Sequence, residues 1–524
     1  VQWLAGLTSV ADWVGSNPEW FPLGERHALL AEHHADACVR ADQALRQIGW
    51  RAFQPLLTVP ATADHLIARI VQRPELTARP LQAQADRLLD GVQGPALLLV
   101  EAPMGEGKTE LAFLAHLRLQ AANQHRGLYV ALPTQATGNA LFNRALTFLH
   151  SFSGDTALDV QLVHGGAGLS EQVLALRGIY GAEGESVSSS AWFSQRRRPL
   201  LSPYGVGTVD QALFATLNVK HHFVRLWGLS NRVVVLDEVH AYDTYTSGLI
   251  EALLRWLKAM GSSVVLMSAT LPAPRRDALL RAWGVAPENA PELSYPRLLL
   301  VDDRGLKGDT CESRPLPPIH LQAVAEDVDS LVAKACELVQ QGGCGALIVN
   351  TVDRAQSLYL KLKTELGDEV PLLLFHARFP ANQRSEQEQA VLARFGDGGA
   401  RPAKALLIAT QVAEQSLDID FDFMLTDLAP VDLILQRAGR LHRHQRERPE
   451  AHRQATLYVA GLSPEALPDL KSTAWEYVYE PYILGRTWAL LSREQALHLP
   501  QDIDRLVQAV YDGENLPADL AEMD

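Results

Sequence analysis

Residues 97–117 read LLLVEAPMGEGKTELAFLAHL. The apolar run ending at Glu101 predicts a buried strand. APMGEG supplies a turn in which Gly105 and Gly107 let backbone approach a ligand closely, and KTELAFLAHL predicts a helix beginning near Lys108. A strand, a glycine-containing turn and a helix, in that order, are the context of a phosphate-binding loop. The turn's N–H groups and the helix N-terminus attract anions. Lys108 is placed to reach the β and γ phosphates of a nucleotide, and the Thr109 hydroxyl to face Mg²⁺. Ala102 stands where the full pattern has its first glycine, a departure softened by the small side chain.

VVVLDEVHAYD (233–243) sets a second apolar run against two adjacent acids. Neighbouring carboxylates near a core are costly unless a cation meets them. Asp237, at the strand end, can hold the Mg²⁺ that bridges the phosphates. Glu238 can orient or deprotonate the attacking water, as phosphoryl transfer requires. Alone, the pair reads equally well as a solvated strand end. The phosphate loop upstream favours the catalytic reading.

Further short apolar runs alternate with helical text: GLYVALPT and SVVLMSAT, then GALIVNT, VPLLLFHA, ALLIATQ and FDFMLTDL. The expected class is α/β, with two tandem parallel-sheet lobes and a helical N-terminal segment. The expected division is a helical segment over 1–77, a first lobe over 78–303, a second over 304–460 and a helical extension over 461–524. RLLLVDDRGLKGDTCESRPLPPIHL (297–321), rich in charge, Pro and Gly, reads as a linker. GAEGESVSSSAW (181–192) reads as a loop.

The 524 residues are too many for one core. The net charge of -14, from 47 basic and 61 acidic side chains, argues against non-specific coating of nucleic acid, but leaves room for a locally basic groove. Cys38, Cys311, Cys336 and Cys344 form no CxxC pair, which fits a reducing cytoplasm and gives no zinc pattern. No run is long and apolar enough to span a bilayer. The chain starts and stops inside helical text and reads as part of something longer.

EAPMGEGKTE and DEVH, together with RPLQ (79–82), ALPTQATGNA (131–140), GVGTVDQ (205–211), SAT (268–270), LIVNTVDRAQ (347–356), ATQVAEQSLDID (409–420) and QRAGRLHRH (436–444), resemble superfamily-2 helicases in content and order. DEVH, LFHARF, VGTVDQAL and QRAGRLHRH together resemble the CRISPR-associated helicase–nucleases of type I systems. LAGLTSVADWVGSN (4–17) is similar to the last helix of that family's HD nuclease domain, with Asp12 at its final metal-binding aspartate and Ser16 one turn on. The other HD ligands belong upstream of Asp12, and His33 and His34 cannot replace them by order. The expectation is therefore a fragment lacking most of the HD domain and the C-terminal domain. It would have no nuclease activity and would not hold the HD site's transition metal.

The resemblance implies that the two tandem parallel-sheet lobes are RecA-like, and it implies ATP and Mg²⁺ as cofactors. It implies Gln82 as the adenine reader, with a surface glutamine as the alternative. It gives His240 a coupling role between nucleotide site and second lobe, and makes Ser268 and Thr270 links between phosphate site and strand-binding surface. Gln436 and Asp418 are expected at the nucleotide, Asp418 on the ribose. Arg440 and Arg443, three apart on an expected helix, look like arginine fingers, and Arg437 reads as solvated. Thr134, Asn139, Thr208, Gln211, Asn350, Thr351 and Thr410 fall at expected strand ends or turns, where short polar groups suit sequence-independent phosphate contacts or simple capping. RRRP (196–199) reads as solvated surface or a DNA-guiding patch, with Trp192 and Phe193 as bases' stacking partners or core.

The implied function is an ATP-dependent single-stranded DNA translocase, moving 3′ to 5′ and recruited by an RNA-guided surveillance complex. The chain is expected to be monomeric and to involve no membrane. Alternatives are an RNA or DNA-repair helicase of the same superfamily, and a non-catalytic scaffold that binds ATP.

Overall fold

The computed structural model describes residues 1–23, 29–50, 53–133, 138–154, 158–163, 187–188, 190–195, 197–239, 244–414 and 417–511. The chain divides into two compact units, Val1–Ala269 with Arg275–Ser313, and Thr270–Pro274 with Arg314–Asp524. Each is built on one sheet with helices.

The first unit carries nine strands: β1 (Leu97–Glu101), β2 (Leu128–Leu132), β3 (Leu158–Val163), β4 (Val187–Ser188), β5 (Tyr204–Thr208), β6 (Val233–Leu236), β7 (Ser263–Ser268), β8 (Arg297–Asp302) and β9 (Gly305–Thr310). They run in the order β4-β3-β5-β2-β6-β7-β1-β8-β9. β1 is parallel to β7, with Leu99 opposite Leu266, and antiparallel to β8, with Leu99 opposite Leu299. The inner strands are buried residue for residue, as a sheet covered on both faces demands. The helix Lys108–Asn123 covers one face, and Phe113 stacks on Phe148 at 4.7 Å. Burying each such side chain contributes roughly 1.5–3 kcal/mol.

The first part of the segment read as a linker is the antiparallel edge of this sheet, and the division between the two units falls in its remainder, after Ser313. RLLLVD is a buried strand that completes the far side of β1, and GLKGDT pairs with it as an exposed edge. Its polarity reflects edge position rather than lack of structure.

The N-terminal helices Gln2–Gly15 and Leu30–Ile48 belong to the same unit. Gly6 lets the first of them meet the helix His222–Leu229, because a Cβ there would lie 2.3 Å from the Trp227 Cβ. Val10, Val14, Trp192, Phe193 and Val224 form a core beneath, with Trp50 and Trp227 packed on it. Trp192 and Phe193 are therefore core residues, 5.1 Å apart, not a stacking face for bases. Arg198 lies over the Trp192 ring at 4.4 Å, so that arginine is not simply solvated. Arg196 falls outside the described residues.

The second unit carries β10 (Ile319–Val324), β11 (Gly343–Ile348), β12 (Leu372–Phe375), β13 (Lys404–Ala409), β14 (Phe423–Asp427), β15 (Thr456–Ala460) and β16 (Ala496–Leu497), in the order β12-β13-β11-β14-β15-β10-β16. All neighbours are parallel except β16, which joins β10 antiparallel. Through β16 the residues beyond 460 extend this sheet. Among the described residues no helix is long and apolar enough to cross a membrane.

Candidate functional site

The candidate residues gather at the carboxyl ends of parallel strands, where ligands bind in open α/β sheets. In the first unit the loop after β1 holds Gly105 and Lys108, Thr208 ends β5, Asp237 follows β6 and Ser268 ends β7. In the second, Asn350 and Thr351 follow β11 and Thr410 follows β13.

The phosphate loop is held from several sides. Gly105 and Gly107 are left-handed, with φ of 88° and 77°, a backbone state that favours glycine. Gly107 caps the helix Lys108–Asn123. Ala102 is not left-handed, so its Cβ meets no penalty and the missing glycine is not needed there. The Ala102 carbonyl accepts from Lys108 Nζ at 2.9 Å, and its N–H donates to the Ser268 carbonyl at 3.1 Å. Gln82 is buried at the start of the helix Pro80–Leu89. Its Nε2 donates to the Gly107 carbonyl at 3.0 Å and its Oε1 accepts the Arg79 N–H at 2.9 Å. A Cβ at Gly107 would lie 2.4 Å from that Nε2, so the glycine and the glutamine occupy one space.

The two acids stand at the end of β6. The Asp237 N–H donates to the Ala131 carbonyl at 3.0 Å, which extends the pairing with β2. The Glu238 N–H donates to Asp237 Oδ1 at 3.0 Å, and Glu238 has φ of 52°, a strained conformation for a residue with a Cβ. Burial pushes the Asp237 carboxyl up to about 7, and the neighbouring Glu238 adds to the rise, while Lys108 and Arg144 oppose it. The site is thus short of positive charge. Arg144, from the helix Gly138–Phe152, donates from Nη1 to the Thr109 hydroxyl at 3.1 Å and pairs with Glu110. Arg144 thus sits beside the Thr109 hydroxyl and within electrostatic reach of Asp237, and that hydroxyl and carboxylate are hard oxygen donors of the kind Mg²⁺ takes. Among the described residues no group of three His, Cys, Asp or Glu side chains is placed to hold a metal, and Mg²⁺ characteristically draws its remaining ligands from phosphates and water.

Sequence reading missed the clamp behind this loop. Glu101, buried at the end of β1, is gripped by Arg297 through both oxygens, at 3.0 and 2.9 Å, and meets Arg276 at 3.1 Å. Ser268 and Thr270 are both buried, and Thr270 begins the stretch that groups with the second unit.

In the second unit the arginines depart from expectation. The helix Val431–Ala438 stops at Gly439, so Arg440 and Arg443 lie on the following turn rather than on a helix face. Gln436 lies on the helix and is buried. Arg437 is fully buried, not solvated. Its Nε donates to Glu414 Oε1 at 2.7 Å, and its Nη1 donates to the Thr426 hydroxyl at 2.6 Å and the Asp427 carbonyl at 3.1 Å. Arg440 is buried too, and donates to the carbonyls of Glu414, at 2.5 Å, and Leu417. Arg443 is partly exposed, with Nε 2.8 Å from Asp418 Oδ1. Burial would raise the Asp418 carboxyl, but Arg443 and His444 reverse this and hold it below the usual carboxylate range.

Beneath that turn lies an ionic lattice without a local sequence signature. Arg448 joins Asp420 at 2.9 Å and Asp422 at 2.6 Å, Arg446 joins Asp420 at 2.9 Å, and Arg401 joins Asp422 at 2.8 Å.

The expected nucleic-acid residues mostly serve local structure here. Asn350 donates from Nδ2 to the Leu428 carbonyl at 2.7 Å, and Thr351 caps the helix Val352–Leu366 by accepting the Arg354 N–H at 3.3 Å. The Gln211 side chain accepts from Arg225 at 3.0 Å, and the Thr208 carbonyl accepts from the Tyr129 hydroxyl at 3.0 Å. Thr410 is buried. Thr134 and His240 lie outside the described residues, as does the Asn139 side chain. Asp12 and Ser16 are exposed around the end of the first helix, where the Ser16 hydroxyl donates to the Asp12 carbonyl at 2.6 Å.

Known proteins match this arrangement. Residues 79–278 match the DEAD/DEAH box helicase family, and residues 341–446 match the C-terminal family of the CRISPR-associated nuclease/helicase Cas3. The chain is 46% identical to the Thermus thermophilus CRISPR-associated endonuclease/helicase Cas3, over 97% of this chain and 59% of that protein. A crystal structure of T. fusca Cas3 with AMPPNP superposes with a TM-score of 0.87 at 35% identity, covering 100% of this chain and 61% of that one. A chain of a pre-nicking CRISPR RNA-guided surveillance complex superposes with a TM-score of 0.72 at 33% identity, covering 100% and 59%. The chain therefore spans about six-tenths of the length of these relatives. With 46% identity over nearly all of this chain, a shared fold over its whole length and both family models matched, the chain belongs to the Cas3 family of CRISPR-associated nuclease/helicases.

Proposed function

We propose that the chain is an ATP-driven motor that moves along single-stranded DNA, 3′ to 5′, at sites opened by an RNA-guided surveillance complex of a type I CRISPR system. The observation that carries this reading is the placing of Lys108, Thr109, Asp237 and Glu238 beyond the carboxyl ends of β1 and β6, which flank β7 in one sheet, with Asp237 in the field of Lys108. Kinship with Cas3 proteins supports the choice of system, partner and substrate. The chain acts as a monomer.

In this reading Lys108 leaves the Ala102 carbonyl for the β and γ phosphates, and the loop N–H groups bind the remaining oxygens. Mg²⁺, held by Thr109 and Asp237, would neutralise charge between those phosphates. Glu238 orients the attacking water and accepts its proton, its carboxylate aimed by the strained backbone. Gln82 presents the base side of the pocket, with Gln436 and Asp418 toward nucleotide and ribose. Arg440 and Arg443 supply positive charge against the negative charge that develops on the γ-phosphate, Arg443 partly exposed and Arg440 buried beneath its turn. His240 and the Ser268–Thr270 stretch couple this chemistry to the strand. Thr134, Asn139, Thr208, Gln211, Asn350, Thr351 and Thr410 border the backbone path of the DNA, several of them by setting strand ends whose N–H groups face phosphate. Movement follows if nucleotide and strand favour the same state. Asp12 is assigned to the metal-ligand set of a nuclease site.

The test is ATP turnover with and without single-stranded DNA, for the parent and Lys108→Ala. Strong stimulation that the substitution abolishes is expected. Stimulation by RNA but not DNA would move the assignment to an RNA helicase, and no turnover in either case would leave a nucleotide-bound scaffold.

A further inference from the structure

The helix Gln501–Tyr511 buries Ile503, Leu506, Val507 and Val510 on one face. Two of its polar side chains reach other elements of the second unit. The Gln508 amide reads the backbone of the stretch just after Ser268 and Ala269. Its Nε2 donates to the Leu271 carbonyl at 2.9 Å, and its Oε1 accepts the Ala273 N–H at 2.8 Å. Asp504 accepts from the same Nε2 at 3.0 Å and so fixes which way the amide faces. One turn on, the Tyr511 hydroxyl donates to Asp432 Oδ1 at 2.7 Å. Asp432 sits in the first turn of Val431–Ala438, the helix that carries Gln436 and Arg437 and leads into the turn of Arg440 and Arg443. Arg486 holds the helix from another side, donating to the Ala509 carbonyl at 2.7 Å.

The links form a continuous series. The phosphate loop bonds Ser268 through the Ala102 N–H, and the chain runs on directly to Leu271. Gln508 grips Leu271 and Ala273, and Tyr511, about 4.5 Å along the same helix axis, grips the helix that leads to the arginines. We infer that Gln501–Tyr511 is a coupling element in which Gln508 is a positioning residue, tying the strand end beside the phosphate loop to the arginine-bearing helix. This rests on the motor reading above and assigns the segment beyond residue 460 a part in it. Packed, hydrogen-bonded elements carry coupling of this kind, and only a coupling measurement establishes it.

The experiment compares the full chain with Gln508→Ala, Gln508→Glu, Tyr511→Phe and the Gln508→Ala/Tyr511→Phe double variant. The ratio of DNA-stimulated to unstimulated ATP turnover should fall about tenfold in Gln508→Ala, within the usual span of coupling between sites. Unstimulated turnover and KM for ATP should stay near parent values. Gln508→Glu, which keeps the acceptor for Ala273, should recover part of the ratio. The double variant should be no worse than Gln508→Ala, because links in series are not additive. An unchanged ratio in a folded Gln508→Ala, or additive losses in the double variant, overturns the inference. Should Gln508→Ala fail to fold, Gln508→Glu and Tyr511→Phe carry the same test. Hydrogen exchange separates this from the motor reading. The Ala273 amide, and amides of Val431–Ala438, should exchange faster in Gln508→Ala even if the parent hydrolyses no ATP. Unaltered exchange at both places sinks the coupling element on its own.

Discussion

Lys108 in the first unit and Arg437 in the second are both cations beside functional turns, yet their surroundings differ. Lys108 is half-buried and rests on one backbone carbonyl, near an Asp237 whose ionised form is disfavoured. Arg437 is sealed from solvent and bonds Glu414, Thr426 and Asp427. Burial lowers the Arg437 guanidinium, and Glu414 and its neighbours more than restore it, so its proton is held above the ordinary range. The first arrangement leaves the lysine with a backbone carbonyl and a disfavoured carboxylate, and the second is completed by the protein itself. Two adjacent arginine motifs in the second unit therefore divide their labour: Arg437 secures the sheet, while Arg443, paired with an exposed Asp418, can change partner.

The contrast breaks most visibly in turnover. Lys108→Ala and Arg443→Ala should each lower kcat by about 10³-fold, the scale of groups that meet developing phosphate charge. Their urea midpoints should match the parent, since an exposed ion pair contributes little stability. Arg437→Ala should instead destabilise the second unit by about 3–5 kcal/mol, because it strands the buried Glu414 carboxylate. Urea titration reads this directly, and an unshifted midpoint would refute the division of labour. Arg437→Met with Glu414→Leu sharpens the point. Apolar replacement of a buried ion pair is often near neutral, so the double variant should return to within about 1 kcal/mol of the parent in stability.

A smaller effect concerns the core behind the phosphate loop. His116 is buried between Phe148 and Tyr204, and among the described residues neither ring nitrogen has a hydrogen-bond partner. Burial pushes its pKa down to about 3, with His125 and Arg232 adding to the fall, and burial likewise takes His125 down to about 4 despite its bond to Asn231. The unfolded chain binds these protons below 6.5 and the folded chain does not. Stability is thus full above pH 6.5 and declines as pH falls through 6.5 toward 3, by at most about 1.4 kcal/mol per pH unit for each histidine. His116→Phe should stabilise by about 1 kcal/mol at neutral pH and flatten the decline between pH 6.5 and 4, as thermal melts at stepped pH would show.

What could be read from the sequence was what is local. The phosphate loop is legible because two glycines, a lysine and the flanking apolar runs encode its backbone within a dozen residues. β8 was misread because an edge hairpin is polar on its outer strand, and nothing in GLKGDT announces that RLLLVD pairs with a strand about 200 residues earlier. The clamp of Arg297 on Glu101, and the bond of Arg437 to Glu414, join residues too distant in the chain for spacing to reveal. Arg144 escaped notice because it lies past the motif that opens its helix, and it gains meaning only beside Thr109.

The overlap of Gly107 and Gln82 reaches beyond the loop itself. One extra methyl at 107 would evict the amide that braces the start of the preceding helix, and the same blow would unseat the lysine's neighbouring turn. The brace on the helix Pro80–Leu89 and the shape of the glycine turn are then mechanically inseparable, and no single substitution at that spot can alter one while sparing the other.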